Sequence, residues 1–386
     1  MLNWPLMQNA IKFTDRLKLC KFLLTSDRYT NGPKVREFEK MWSDWIETKH
    51  SLMVSSGSTA NFLLLAAIKE KHGLKEGDKV LVPACTWVTN VSPIIQLGLI
   101  PIFCDVNFEN FSFNIPELEK IKIKHDIKAI FITHLLGFSA DNEKYKEIFP
   151  NAIILEDVCE SHGCRSDSGE LRGRDNGTFS FYFGHHMTTI EGGMVTTNDD
   201  DLYELMRMKR SHGLARESGN LSKYTSKYPD IHPQFLFATD GYNFRSTEIN
   251  AILGMQQLPR LNGFIDTRKK NFSIFVDLLD EYKDLFYPLV DQKGNSNYAF
   301  PFICKNPNIK HKLMQLFDAN KIENRPIVSG NLLKQPFLKG YDFAIKSKSY
   351  NADVLNDNGL YIGNSQFVNP NQIYKLFELI AKEFKK

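Results

Sequence analysis

Three segments of the sequence place chemically capable residues close together. Ser55-Ser56-Gly57-Ser58-Thr59-Ala60-Asn61 joins an apolar run to a helix-period segment. Glycine there lets a ligand approach the backbone, and the amides and hydroxyls of Ser58 and Thr59 at a helix N-terminus form an anion site. The same residues also suit a plain helix cap. In Leu155-Glu156-Asp157-Val158-Cys159-Glu160-Ser161-His162-Gly163, an apolar strand delivers Asp157 at its C-terminal end. Ligands of open α/β sheets gather at such ends. A carboxylate there could keep a cofactor's ring nitrogen protonated, or could simply cap the next helix. The third segment runs Ser180-Phe181-Tyr182-Phe183-Gly184-His185-His186-Met187-Thr188-Thr189-Ile190-Glu191-Gly192-Gly193-Met194-Val195. Imidazole titrates near neutrality and suits proton transfer; a solvent-facing histidine pair is the plain alternative. No metal site is expected, because adjacent residues rarely face one ion and no His-x-x-x-His spacing accompanies them.

Those segments need a sheet to present them. Ser51–Val54, Val80–Pro83, Ile100–Cys104, Ala129–Thr133, Ala152–Glu156, Phe179–Phe183 and Met194–Thr197 read as short strands of continuous apolar character. Helix-period segments alternate with them: 35–46, 58–72, 90–97 and 199–211. In the second of these, Phe62, Leu65, Ala66 and Ile68 mark the apolar side. The pattern predicts a parallel sheet covered by helices on both faces. Residues 1–30 read as a partly helical arm, closed by the turn signal Asn31-Gly32-Pro33. Residues 214–243 read as a long loop. Helix resumes over 246–258, with Ser246 as its cap and Glu248 in its first turn. The character of the sequence changes near Arg268. The expected organisation is an arm (1–30), a large domain (31–262) and a smaller α/β C-terminal domain (263–386).

Composition limits the partners. With 386 residues and 42% hydrophobic content the chain can bury sizeable cores, so disorder is not expected. A net charge of +3 gives no reason to expect nucleic acid. The six cysteines (20, 85, 104, 159, 164 and 304) include no C-x-C or C-x-x-C pair, which argues against a zinc site or a disulfide framework. No signal-peptide pattern opens the sequence. No apolar run approaches the roughly 18 residues of a membrane span. A cytoplasmic protein with no membrane contact is expected.

The order and spacing of the three segments resemble the sugar-nucleotide aminotransferase family of fold-type I pyridoxal-phosphate enzymes. Pro83-Ala84-Cys85-Thr86-Trp87, Asp105-Val106-Asn107, His134-Leu135-Leu136-Gly137-Phe138 and Gly241-Tyr242-Asn243-Phe244-Arg245 extend the resemblance from about Asn31 into the C-terminal domain. It implies an aminotransferase-like fold, with a mixed, mostly parallel sheet between helices. It also implies a cofactor phosphate held by Gly57, Ser58 and Ser180, with Trp87 stacked on the ring. Asp157 would pair with the ring nitrogen, and Glu160 would contact the ring hydroxyl. Asn243 would reach the cofactor of a neighbouring subunit, giving a homodimer with shared sites. Arg245 and His212 are candidate substrate contacts, with a salt bridge and a packed histidine as their plain alternatives.

One position departs from the family. Six residues before the glutamate of Glu191-Gly192-Gly193, the family carries a lysine that binds the cofactor covalently; here it is His185. Imidazole has no primary amine, so pyridoxal or pyridoxamine phosphate should be held noncovalently. His185 is then expected to act as a base, with His186 as the alternative in register. The histidine-bearing members of the resemblance are dehydratases that remove the C3 hydroxyl of a nucleotide-linked 4-keto-6-deoxy sugar, with glutamate as amino donor. GDP is the nucleotide implied, and colitose-type deoxysugars of lipopolysaccharide O-antigen are the pathway class. Some histidine-bearing members use an iron–sulfur cluster with closely spaced cysteines. The lack of such a pair here predicts that no cluster is present.

Overall fold

The computed structural model describes residues 2–341 and 350–384. Its larger sheet has seven strands: β1 (His50–Val54), β2 (Lys79–Pro83), β3 (Ile100–Cys104), β4 (Ile127–Thr133), β5 (Ile153–Asp157), β6 (Gly177–Ser180) and β7 (Gly193–Thr197). Their order is β1-β7-β6-β5-β4-β2-β3. Pairing is parallel from β6 through β5, β4 and β2 to β3, while β7 runs antiparallel to both β6 and β1. The expected mixed, mostly parallel sheet is therefore present. The strands are apolar throughout because helices cover both faces, and Leu52, Val80, Phe131 and Leu155 have no exposure at all.

Beyond it lies a small antiparallel sheet of β8 (Ala299–Ile303), β9 (Asn324–Pro326) and β10 (Gly359–Gly363), in the order β8-β10-β9. It packs with Phe272, Phe275, Phe317 and Phe377 into a separate aromatic-rich core. The long helix Leu261–Leu279 leads from the large sheet to this second core.

Several local expectations shift, each for a stated reason. The third segment was read as strand through Phe183, but β6 ends at Ser180. There the chain turns: His185 N–H donates to the Tyr182 carbonyl (3.0 Å) and Thr189 N–H to that of Phe181 (3.0 Å). Helix 90–97 breaks into a turn at Val88–Asn90 and a short helix, Ser92–Gln96. Phe62 is only partly buried, because it covers Tyr242 and Phe244 edge-on instead of entering the core. The later helix begins at Glu248 and is capped by Thr247, whose Oγ accepts the Asn250 N–H (3.3 Å); Ser246 instead uses its carbonyl to hold Asn31. Buried Glu248 accepts the amides of Gly32 (2.7 Å), Lys34 (3.0 Å) and Val35 (3.1 Å), so it caps the neighbouring helix Pro33–Ile46. The loop 214–243 holds only short helical turns around Ala215, Leu221 and Pro233.

Candidate active site

The C-terminal ends of β4 and β5 open into a cavity of about 490 Å³. Gly57, Ser58, Trp87, Asp157, Glu160, Ser180 and His185 all line it. Seven of the residues singled out from the sequence therefore meet in one place.

The phosphate-sized end is built by the helix Gly57–Lys71. Ser56 caps it: its Oγ accepts the Thr59 N–H (3.1 Å), and its own N–H donates to Thr59 Oγ1 (3.0 Å). That reciprocal pair leaves the amides of Gly57 and Ser58 without an acceptor among the described residues, at the positive end of the helix. A Cβ at Gly57 would stand 2.6 Å from Ser180 Cβ and 2.9 Å from Cys159 Sγ. Only glycine lets the Ser180 hydroxyl sit beside those amides. The donor set matches a phosphate group.

Asp157 forms the floor. Its Oδ2 accepts the side-chain amides of Asn61 (2.8 Å) and Asn90 (2.8 Å), and its Oδ1 accepts the Cys159 N–H (2.9 Å). Asn61 is held in turn by the Thr178 hydroxyl, and Asn90 by those of Thr86 and Thr133. Trp87 stands at the rim, 49% exposed, with an indole face open to a flat ring. Phosphate donors, a fixed carboxylate and an open aromatic face together fit pyridoxal phosphate. Glu160 lines the edge, where its Oε2 accepts the Leu136 N–H (2.9 Å). Burial and the nearby Asp157 charge raise its carboxyl to about 7, against that hydrogen bond. It therefore retains proton-donor capacity near neutrality.

His185 faces the cavity from the opposite wall. Its Nδ1–H donates to the Ser180 carbonyl (3.1 Å), the assignment that this carbonyl requires. The lone pair on Nε2 is left free. Burial pushes its imidazole down to about 4; the Ser180 carbonyl and the Asp157 charge only partly oppose this, and Arg268 lowers it further. His185 is thus a neutral base over the whole physiological range. His186 is fully buried behind it and makes no part of the cavity lining. Its Nε2 lies 2.8 Å from the Ser296 carbonyl and 3.0 Å from the Ser296 hydroxyl. Among the described residues, no lysine lines the cavity and no cluster of histidine, cysteine and carboxylates could hold a metal.

The loop bearing His185 is fixed from behind. Asn250 Nδ2 donates to the carbonyls of Thr189 (2.7 Å) and Glu191 (2.8 Å), and Thr188 and Gln257 exchange hydrogen bonds. Between these anchors Ile190 has φ +74°, a strained conformation for a β-branched residue.

Three predicted site residues lie elsewhere. Arg245 Nε donates to Asn243 Oδ1 (3.0 Å), and Arg245 also donates to His212 Nε2 (3.3 Å), in an exposed cluster outside the cavity lining. Sequence reasoning missed other lining residues: Met7, Tyr182, Glu191, Tyr298, Arg325 and Tyr361. Of these, Tyr182 and Glu191 stood inside a segment already singled out, though neither was assigned a role. It also missed Asn61 and Asn90, whose signal was an amide inside otherwise apolar segments.

A large mixed sheet, a small antiparallel domain and a carboxylate-floored cavity between helix N-terminus and loop define a fold-type I aminotransferase-like protein. The DegT/DnrJ/EryC1/StrS aminotransferase family model matches residues 12–380, and the chain belongs to that family. It is 35% identical to the GDP-4-keto-6-deoxy-D-mannose 3-dehydratase of Yersinia pseudotuberculosis, over 99% of both chains. A crystal structure of a GDP-4-keto-6-deoxymannose-3-dehydratase mutant with bound GDP-perosamine superposes with a TM-score of 0.90 and 31% identity, covering 98% of this chain and 100% of that one. A second such structure, with a trapped PLP-glutamate geminal diamine, gives a TM-score of 0.87 and 30% identity, covering 98% and 100%.

Proposed function

We propose that this chain is a pyridoxal-phosphate-dependent 3-dehydratase of a nucleotide-linked 4-keto-6-deoxy sugar, with GDP-4-keto-6-deoxy-D-mannose as substrate and glutamate as amino donor. The observation that carries this reading is His185: a neutral imidazole with a free Nε2 faces the cavity in the register where the family has lysine. When bound, pyridoxal phosphate supplies an amino group taken from glutamate and a ring that accepts an electron pair.

The residues divide the work. Gly57, Ser58 and Ser180 hold the phosphate, and Trp87 covers the ring face. Asp157 keeps the ring nitrogen protonated, which makes the ring an electron acceptor. Glu160 contacts the ring hydroxyl. With the cofactor bound, His185 Nε2 would be the group that takes a proton beside the amine and holds it for the departing C3 hydroxyl. Over one turnover a glutamate becomes 2-oxoglutarate and ammonium, the sugar exchanges its C3 hydroxyl for hydrogen, and no net water forms.

A homodimer with shared sites completes the reading. The arm helix Phe13–Thr25 leaves Phe13, Leu17 and Leu24 exposed, a surface suited to a second copy. Asn243 and Arg245 lie outside the lining of their own cavity, which supports a role at the partner's.

The test incubates the full chain with GDP-4-keto-6-deoxy-D-mannose, glutamate and pyridoxal phosphate. The expected products are 2-oxoglutarate, ammonium and a sugar nucleotide one oxygen atom lighter. An amino sugar, or a lysine–cofactor adduct trapped by borohydride, overturns the proposal in favour of a sugar aminotransferase. Cofactor binding with no glutamate turnover points to a noncatalytic sensor.

A further inference from the structure

The N-terminal segment is fastened near its start and again in the arm helix that follows it, and between these anchors it contributes to the cavity wall. On the small-domain side, Trp4 N–H donates to the Lys321 carbonyl (2.9 Å), and Glu323 N–H donates to that of Trp4 (2.9 Å). Buried Trp4 also donates its indole N–H to the Gly363 carbonyl (2.8 Å), and Leu6 N–H donates to Glu323 Oε2 (2.8 Å). On the large-domain side, Asp15 in the arm helix pairs with Arg260 (2.7 Å), and Lys18 bonds Gln256. Between the two anchorages, Leu6 and Met7 become part of the cavity wall.

Met7 sits in a notch made for it. A Cβ at Gly184, the residue before His185, would stand 2.8 Å from Met7 Cγ and closer still to its sulfur. Gly184 has no need of glycine for its backbone, since it is not among the positive-φ residues. Its missing side chain is instead the space that the thioether fills. Tyr298 bounds the same notch, with its hydroxyl 3.4 Å from that Cβ position and its ring edge-on to His185 at 5.7 Å.

We propose that the segment 2–10 is a strap and that Met7 is a positioning residue. Its thioether, keyed into Gly184, closes the His185 wall against bulk water and fixes the imidazole toward the reacting carbon. Methionine suits the task, because its flexible chain fills irregular gaps without bringing a competing polar group. The role of the strap in catalysis rests on His185 being the base; its role as a lid does not. The groups facing His185 are Tyr182 and His186 from its own loop, Asp157 and His162 from the β5 side, and Tyr298 and Arg268 from the small domain. The strap adds no charge to this set, so its removal acts through solvent access alone.

The test compares Met7→Ala, Gly184→Ala and the double variant with the parent chain. The His185 ring is followed by NMR titration with and without pyridoxal phosphate, its resonance assigned by loss in His185→Asn. In the parent, burial pushes the imidazole down to about 4, so its titration is expected well below the ordinary range. In Met7→Ala the titration is expected to move toward the ordinary value near 6.5. Turnover should then fall about tenfold and fail first on the acid side, where the newly hydrated imidazole becomes protonated. Gly184→Ala should expel the strap and speed tryptic cleavage at Lys12 and Arg16, and adding Met7→Ala should slow that cleavage again. An unmoved titration in Met7→Ala, or additive cleavage in the double variant, overturns the lid. If the titration moves while even the parent makes no dideoxy sugar, the lid stands and the dehydratase assignment falls.

Discussion

Asp157 and His185 face one cavity from supports of opposite kinds. Asp157 ends a central strand paired on both sides, and three N–H donors hold its two oxygens. His185 stands on an irregular loop. Its ring makes a single polar contact, with the Ser180 carbonyl, and is otherwise positioned by aromatic neighbours. In the proposed role the carboxylate meets one ring nitrogen in one geometry, and a saturated hydrogen-bond set would impose that geometry. In the proposed reaction the imidazole serves two different substrates in turn, glutamate and then a sugar nucleotide. Its requirements are a free Nε2 and little water, which packing can provide without a rigid bond network.

The largest effect should come from removing the base alone. His185→Asn keeps a polar side chain of smaller size and leaves the Asp157 network untouched. Turnover is expected to fall by about 10²–10⁴, the range attributed to a general base. Pyridoxal phosphate affinity, measured by its absorbance on titration, should change no more than a few-fold. A comparable loss of both would mean that wall and floor act as one unit, and the comparison drawn above would fail.

A smaller effect is expected at the floor, and it should be of a different kind. Asp157→Asn presents an amide where Asn61 and Asn90 both donate, so at least one buried N–H loses its acceptor. An unsatisfied buried donor costs about 1–3 kcal/mol. Chemical denaturation should therefore show a loss of stability of that order even without cofactor, whereas His185→Asn should show little. Equal stability losses would show that the loop is as tightly built as the strand.

The same contrast decides how much of the site was legible in the sequence. Gly57 and Ser58 belong to a strand-to-helix junction, and Asp157 and Glu160 to the end of β5 and the turn after it, where composition and spacing within about ten residues define the local structure. His185 was legible only through its register against Glu191-Gly192-Gly193. Met7 and Tyr298 reach it from sequence positions far away, through closure of the arm and the small domain over the sheet, and no local pattern encodes that closure. Asn61 was read as part of a helix and Asn90 as the start of another; their common target, Asp157, emerges only when β5 lies beside them. The strand read through Phe183 shows the opposite error. Phe179, Phe181 and Phe183 alternate as a strand should, but the chain must turn after Ser180 to aim His185 at the cavity.

The smallest effect should be at the rim. Trp87 is half exposed, and its proposed contribution is a face against one side of the cofactor ring. Aromatic stacking of this kind is worth about 0.5–1.5 kcal/mol beyond burial, and 1.4 kcal/mol is tenfold in affinity. Trp87→Ala should therefore weaken pyridoxal phosphate binding by up to roughly tenfold, leave the titration of His185 in place and leave the stability of the cofactor-free chain nearly unchanged. Trp87→Phe should recover most of the loss, because the face and not the indole N–H is what matters. A stability loss as large as that of Asp157→Asn would instead identify Trp87 as part of the rigid floor, and would move the boundary between the two halves outward to the mouth of the cavity.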